Sequence, residues 1–392
     1  MALPPASPSH LLRTHSSDVS ALFFSDDNER LYSGDASGLI VVTSTRTLRP
    51  IVTWAAHTDG ILGVQEWGFK IITHSRDHKL HVWNRVEDLP RVGGSASMSG
   101  LPPPTLCYSL DVNALNYCRF SLLPQSDSES ALIALPNLVE SSEADVWELP
   151  SQKRIHASIG TQRTQHIFSL EGRDGMRTGL IMAMHLFRAL PPSEGSSARA
   201  AGELRLICAY EDGSVALRRF VGSGTGLETS IEGRGWEVIW NSKLHVEAIM
   251  AMRVSRDNKL ALTVSADHLV GRYSLDARDQ ESAGVIHRTT HPGNGCIAIR
   301  DDGRVCAIGG WDGRIRLYST KNLKPLGTLR YHKTGCQALE FARSVDVTTG
   351  EDDEDEDEEM SAAEREARGR WLAAGSKDHR VSLWALISFE KT

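Results

Sequence analysis

Polar and apolar positions along this chain follow one repeated frame. A short β-prone run leads to an aspartate, a tight turn follows, and a second β-prone run comes after the turn. The frame places its aspartate at Asp35, Asp77, Asp212, Asp267, Asp312 and Asp378. Such runs on either side of Asp-Gly or Asp-His predict antiparallel strands joined by a hairpin turn. A single frame would indicate no more than an ordinary hairpin, whereas six frames indicate a repeat architecture.

Two of the frames carry a fuller signature, with a serine two residues before the aspartate and a tryptophan six residues after it. Histidines stand 20 to 22 residues before four of the aspartates, at His15, His57, His245 and His291. His, Ser, Asp and Trp can form a buried relay in which Asp accepts from the imidazole and the hydroxyl bridges the imidazole to the indole N–H. We therefore predict two structural tetrads, His57–Ser75–Asp77–Trp83 and His332–Ser376–Asp378–Trp384. Repeat turns are predicted at Asp35, Asp212, Asp267 and Asp312.

The spacing of the frames is 42 residues from Asp35 to Asp77 and 45 from Asp267 to Asp312. This resembles the WD-repeat family, whose repeat is about 40–45 residues long. The resemblance implies an all-β, seven-bladed WD40-type β-propeller with disordered loop insertions. The 135 residues between Asp77 and Asp212 hold one degenerate blade without a turn aspartate. One domain is expected over 1–392, with blades at about 15–54, 57–110, 111–158, 178–240, 245–288, 291–330 and 332–388.

The last blade has no sequence for a fourth strand after its third one. We predict that residues near 10–14 supply that strand beside Val381–Leu386 and so leave no long open edge. Segments rich in Gly, Ser, Pro or acid interrupt the repeats at 86–104, 190–202, 222–235 and 344–369. Because the segments at 86–104, 190–202 and 344–369 are poor in aromatic residues, we expect these three to be disordered, whereas 222–235 supplies a longer outer loop of blade 4. For 360–370, a short helix and a solvated linker are both open.

Charge is concentrated in one segment of the chain. The formal net charge is −7, but residues 351–359 are nine consecutive acids, so the rest of the chain stands at +2. Direct nucleic-acid binding requires clustered Lys and Arg, and none is evident. No apolar run approaches the ~20 residues that cross a bilayer, and the N-terminus lacks the apolar core of a secretory signal. We therefore expect no direct contact with nucleic acid or membrane.

Cysteine and glycine patterns give no sign of a chemical site. The six cysteines form no C-x-x-C pair, which favours buried free thiols over a metal site: Cys107, Cys118, Cys208, Cys296, Cys306 and Cys336. The Gly-Ser-Gly-Thr-Gly run at 222–226 has neither the spacing of a dinucleotide fingerprint nor the lysine of a P-loop. His, Asp and Ser recur together, but six copies of a catalytic triad in one chain are not credible. The sequence predicts a non-enzyme with no catalytic residue, cofactor, metal or small-molecule substrate.

A binding surface is the remaining prediction. In a propeller the residue before each turn aspartate lies near the wide face, and here those residues are Gly34, Arg76, Glu211, Ala266, Trp311 and Lys377. Exposed Trp and Arg anchor protein interfaces, so we predict a partner-binding patch at Arg76, Trp311 and Lys377. The alternative, that Trp311 packs over the loop of its neighbour, is open.

Three segments resemble the fungal ASTRA-associated protein family, within the WD-repeat superfamily. They are HTDGILGVQEW with IITHSRDHKLHVWN, the run GGWDGRIRLYSTKNLKPLGTLRYHKTGCQALEFA, and WLAAGSKDHRVSLWAL. The resemblance implies a nuclear scaffold subunit, also present in the cytoplasm, that is linked to chromatin remodelling. Its implied partners are ASTRA components, cochaperones of phosphatidylinositol-3-kinase-related kinases, and RuvB-like ATPases. The alternative is a G-protein β-subunit-like or histone-binding adaptor.

Overall fold

The computed structural model describes residue 5 and residues 7–86, 101–125, 129–161, 179–189, 202–222, 229–344 and 362–386. Its strands form seven antiparallel sheets of four strands each, which confirms the predicted all-β fold of a seven-bladed WD40-type β-propeller. The chain divides into two compact units, residues 1–109 with 293–392 and residues 110–292. Neither of the two short helices in the described residues is long and apolar enough to cross a membrane.

The first unit contains the blades at the two ends of the chain. Blade 1 comprises β2 (Val19–Phe24), β3 (Arg30–Asp35), β4 (Leu39–Ser44) and β5 (Pro50–Ala55). Blade 2 comprises β6 (Ile61–Trp67), β7 (Lys70–Ser75), β8 (Lys79–Asn84) and β9 (Thr105–Asp111), whose last two residues fall in the second unit. Blade 6 comprises β22 (Asn294–Ile299), β23 (Val305–Gly310), β24 (Arg314–Ser319) and β25 (Pro325–Arg330). Blade 7 comprises β26 (Cys336–Phe341), β27 (Trp371–Ser376), β28 (Val381–Ala385) and β1 (His10–Leu12).

The second unit contains three blades. Blade 3 comprises β10 (Ser121–Pro124), β11 (Ala131–Pro136), β12 (Ala144–Leu149) and β13 (Lys153–Ile159). Blade 4 comprises β14 (Ile181–Ala189), β15 (Glu203–Tyr210), β16 (Ser214–Phe220) and β17 (Trp236–Lys243). Blade 5 comprises β18 (Ile249–Val254), β19 (Leu260–Ser265), β20 (Leu269–Ser274) and β21 (Gly284–Arg288), with helix α1 (Gln280–Ala283) before its last strand.

The fourth strand of blade 7 comes from the N-terminal segment. Strand β1 pairs antiparallel with β28, with His10 opposite Leu383 and Leu12 opposite Val381. This is the pairing expected from the missing fourth strand in the sequence. It covers the backbone N–H and C=O groups of β28, which would otherwise form an open sheet edge.

Alternation of side chains along each strand builds the core. In blade 1, Ala21 and Phe23 pack with blade 2, whereas Leu22 and Phe24 pack with blade 7. Successive side chains of a strand point to opposite faces, so one strand supplies two cores. The packing of blades 1 and 2 is close enough to require glycine, because a Cβ at Gly34 would lie 2.7 Å from Ile61 Cγ2.

The predicted insertions lie mostly outside the described residues, which end and resume around 87–100, 190–201, 223–228 and 345–361. The far end of the acidic insertion differs from the expectation of disorder. Residues Ala362–Arg368 form helix α2, so the helix rather than the linker holds there. Arg368 is buried, with its guanidinium 3.4 Å from Thr45 Oγ1 and over the ring of Trp371, and these contacts hold the helix against the sheets. Residues 229–235, which belong to the outer-loop insertion at 222–235, form an ordered turn that pairs at Ser230 with His156.

Candidate functional site

The relay of blade 2 forms, but with a different hydroxyl from the predicted one. His57 Nδ1 lies 3.0 Å from Asp77 Oδ2, and His57 Nε2 lies 2.8 Å from Thr73 Oγ1. The Trp83 indole N–H donates to the same Thr73 oxygen at 2.9 Å. Ser75 is not a member of the relay, since its hydroxyl donates to the carbonyl of Asp59. Residues two apart share a face of a strand but lie about 7 Å apart along it, and Thr73 is the one level with the two rings.

Blade 7 repeats this correction with a further change. His332 Nδ1 lies 2.9 Å from Asp378, but its Nε2 lies 2.7 Å from Ser382 Oγ, which also accepts from the Trp384 indole at 2.9 Å. The predicted member, Ser376, instead donates to backbone carbonyls of residues 334 and 335. Ala374 stands opposite Ser382, as Thr73 stands opposite His81 in blade 2. The bridging hydroxyl has therefore moved from the second strand to the third.

Two further relays were not predicted in full. In blade 5, His245 Nδ1 lies 3.1 Å from Asp267 and its Nε2 lies 2.8 Å from Thr263 Oγ1, while Tyr273 occupies the tryptophan position. In blade 1, His15 lies 2.8 Å from Asp35 and 2.7 Å from Ser33 Oγ. A hydroxyl four residues before the turn Asp267, or two before Asp35, is the sequence signal that would have found them.

Asp35 does not occupy the turn position of the other aspartates. It pairs with Val19 in the same way that Ser75 pairs with Ile61, so Ser37 stands where Asp77 stands in blade 2. The six aspartates therefore occupy two registers rather than one. Burial raises the pKa of Asp35, but hydrogen bonds from His15 and Ser37 outweigh burial and hold that pKa below its usual value.

The other two aspartates hold their turns without histidine. Asp312 accepts from the Arg316 guanidinium at 2.5 Å, whereas His291, the histidine that its spacing suggested, contacts Thr290. Arg316 occupies the strand position that corresponds to His81, from which a long side chain reaches the turn. Asp212 accepts from the backbone N–H and hydroxyl of Ser214, which close the turn locally.

Protonation of His57 sets the directions of the hydrogen bonds in the blade 2 relay. Burial lowers the pKa of His57, although Asp77 opposes the shift, so the imidazole is neutral near pH 7. Its Nδ1–H then donates to Asp77, and its Nε2 accepts from the Thr73 hydroxyl. Thr73 is fully buried and accepts from Trp83, so its hydroxyl is fully engaged and is not presented to a substrate.

One relay lies beside a second histidine, and the three groups His57, Asp77 and His81 are close enough to be compared with a metal site. The two imidazoles are stacked, with centroids 4.3 Å apart and planes 9° apart. A metal ion must lie near the plane of each ligating ring, about 2 Å from the nitrogen, and parallel stacked rings cannot both meet this condition. His57 Nδ1 and Nε2 also both have partners already. The geometry therefore does not fit a metal.

The predicted interface residues lie at exposed turns. Arg76, Trp311 and Lys377 occupy the same position of the β-turn in blades 2, 6 and 7, and all three are exposed. Glu211 is exposed in the equivalent turn of blade 4, and Ala266 is half-buried in that of blade 5. Gly34 is wrong as a member of this set: it is buried inside β3, and Ala36 holds the turn position of blade 1.

Trp311 is held on a bed of glycine backbone. Its ring lies so close to Gly293 and Gly295 that a Cβ at either residue would lie 3.0 or 3.1 Å from ring atoms. Trp311 nevertheless stays 53% exposed as a residue. The indole therefore packs over a neighbouring loop, as the alternative predicted, and keeps an exposed face; partner binding at this residue stays a prediction. Its position is fixed before any partner binds, which lowers the entropy lost on binding.

The four turns of the first unit are linked in order. Lys377 N–H donates to Gly335 O at 3.1 Å, and a Cβ at Gly335 would lie 3.4 Å from Trp311 Cα. On the other side, His379 lies 3.5 Å from Asp18, whose carbonyl accepts from Ala36 N–H. Arg76 N–H in turn donates to Gly60 O, and a Cβ at Gly60 would lie 3.3 Å from Ala36 Cα. We call the surface formed by the turns of Trp311, Lys377, Ala36 and Arg76 the turn arc. On this arc the turn of Ala36 lies between those of Lys377 and Arg76.

Comparison with known proteins places this geometry among relatives. The family model described as WD domain, G-beta repeat matches residues 6–43 and 286–319. ASTRA-associated protein 1 of Verticillium alfalfae is 34% identical to this chain, over 97% of the chain and 93% of the relative's own length. ASTRA-associated protein 1 of Schizosaccharomyces pombe is 28% identical over 97% of the chain and 98% of its own length. The mouse guanine nucleotide-binding protein subunit beta-like protein 1 is 27% identical over 98% of the chain and 97% of its own length.

Proposed function

Because this chain belongs to the ASTRA-associated protein 1 family, we propose that it is a WD-repeat adaptor subunit of an ASTRA complex and catalyses no reaction. The names of the fungal relatives and their near-complete coverage support membership of the complex. The buried, fully engaged hydroxyls of the relays support a structural rather than a catalytic use of His, Asp and Ser. In this proposal the protein works in the nucleus, in chromatin remodelling and in the assembly or stability of phosphatidylinositol-3-kinase-related kinases.

The observation that carries the adaptor role is the turn arc with Trp311 on its glycine bed. A half-exposed, pre-positioned tryptophan is the residue type that anchors protein interfaces, and its truncation in such a position costs about 2–4 kcal/mol of binding. Arg76 and Lys377 are exposed cations on the same arc, whose expected contribution is to the rate of association and its dependence on salt. The proposed partners are other ASTRA components, kinase cochaperones and RuvB-like ATPases.

The test is affinity purification of tagged full-length protein from nuclear extract, followed by mass spectrometry. The variant Trp311→Ala with Arg76→Glu is expected to fold and to lose the cochaperones. The matched control is Phe69→Ala, which removes an aromatic ring that is 66% exposed at the opposite end of a sheet in the same unit. If the double variant folds and retains every partner, the turn arc is not the contact surface.

The second candidate, a G-protein β-subunit-like adaptor, is favoured by the mouse relative alone, at 27% identity. The same purification separates the two functions. Recovery of G-protein α or γ chains in place of ASTRA components would favour the second candidate.

A further inference from the structure

Blade 3 differs from the other blades at the end of its sheet that carries the turn between the second and third strands. Turns of three or four residues join the second and third strands of the other six blades, but Asn137–Glu143 joins β11 and β12. Five residues lead into the first strand of blades 2, 5, 6 and 7, but residues 112–120 lead into β10. Both loops of blade 3 are therefore four residues longer than those of a typical blade here.

The added residues bring apolar side chains to the surface. Leu115 is 78% exposed and Val139 is 88% exposed, and Tyr117 and Leu138 are also exposed. We call these four residues the blade 3 patch. Exposed apolar residues are unremarkable when scattered singly, but a group carried on two adjoining loops marks an interaction surface.

Buried polar groups hold the two loops rigid and join them. Asn113 Nδ2 donates to Asn137 O and Ser141 Oγ, and Asn116 Nδ2 donates to Ser141 O. The side-chain oxygen of each of the three asparagines accepts from backbone N–H groups two or three residues beyond it, which fixes the turns. Asn137 Nδ2 also donates to the fully buried Asp145, which fixes the asparagine against the third strand. A hydrogen-bonded network of this kind specifies one conformation of the two loops. In that conformation the apolar side chains of the loops are held in solvent.

Charged residues around the patch indicate which kind of segment it would bind. Glu140 and Glu143 lie on the longer turn. A third glutamate, Glu211, lies close to the longer turn. The Ser141 carbonyl accepts from Ile181 N–H, and the carbonyl of the preceding residue, Leu180, accepts from Glu211 N–H. Arg119 is the cation on these loops among the described residues. Acidic groups therefore predominate at the rim.

We propose that the blade 3 patch is a second docking surface, distinct from the turn arc, for an apolar segment of another protein that is flanked by Lys or Arg. Leu115, Tyr117, Leu138 and Val139 would bury the apolar side chains of that segment, and the glutamates would face its cations. The inference rests on the second unit alone and does not depend on membership of an ASTRA complex.

The test uses full-length protein and a labelled short peptide whose Leu segment is flanked by Lys, with the same segment flanked by Glu as the charge control, followed by fluorescence anisotropy. The Lys peptide is expected to bind at least about tenfold more tightly than the Glu peptide. Leu115→Ser with Val139→Ser should remove this binding. Val246→Ser, at a residue that is 81% exposed on the corresponding loop of blade 5, should leave it unchanged.

A second variant tests the scaffold. Asn137→Ala keeps all four apolar residues but releases the turn, and is expected to weaken peptide binding several-fold while the protein stays folded by circular dichroism. Equal binding of the two peptides, or full binding by the Leu115→Ser, Val139→Ser protein, would overturn the proposal. A dimer in analytical ultracentrifugation that this variant dissociates would assign the patch to a second copy of the chain and would also overturn it.

Discussion

Ser382 is the residue whose removal should most sharply test the relay. Its hydroxyl is the shared partner of His332 Nε2 and Trp384 Nε1, and both Ser382 and Trp384 are completely buried. Ser382→Ala therefore leaves two buried polar groups without a partner. Since each costs about 1–3 kcal/mol, we expect a loss of about 2–4 kcal/mol in the free energy of unfolding. The loss is measured by urea denaturation followed by circular dichroism.

Blade 2 supplies the matched rescue. There the hydroxyl comes from Thr73 on the second strand, and the equivalent residue in blade 7 is Ala374, opposite Ser382. The double variant Ser382→Ala with Ala374→Ser moves the hydroxyl across the strand pair and should recover at least about half of the lost free energy. Ala374→Ser alone should not stabilise. If the double variant is no more stable than Ser382→Ala, or if Ser382→Ala costs less than about 0.5 kcal/mol, the hydroxyl is not a bridge.

Three other perturbations follow from the same structure. Burial lowers the pKa of His156 to about 4, so between pH 6.5 and pH 4 the unfolded chain binds more protons than the folded protein. The free energy of unfolding therefore decreases as the pH falls through this range, by up to about 1.4 kcal/mol per pH unit. His156→Phe should flatten this part of the urea-midpoint profile. Asp312→Ala leaves the buried guanidinium of Arg316 without its carboxylate and should cost about 2 kcal/mol, whereas His291→Ala should cost under about 0.5; equal losses would restore the histidine pairing. Deleting residues 1–12 removes β1 and should lower solubility on gel filtration by opening the edge of β28, and an unchanged monomer peak would argue against that role.

The sequence by itself determined the repeat and most of its polar pairs. Strand composition, turn residues and a spacing near 42–45 residues were sufficient for an all-β propeller, because these signals are local and recur. The pairs His57–Asp77 and His332–Asp378 were also accessible, since each aspartate ends a hairpin that the sequence marks. The exposure of Arg76, Trp311 and Lys377 followed from the same turn position.

Register decided what the sequence could not. Thr73 and Ser75 lie on the same face of one strand, and only their cross-strand partners show which one is level with the imidazole and the indole. The register of β2 against β3 likewise shows that Asp35 corresponds to Ser75, two residues before the position that Asp77 holds in blade 2.

Long-range packing decided the rest. The glycines beneath Trp311 are 16 and 18 residues away in sequence, and Asn113 meets Ser141 across 28 residues. A one-dimensional pattern records which residues alternate along a strand, but it does not record which residues of different loops lie at the same height, and that depends on how the strands pair and the sheets pack.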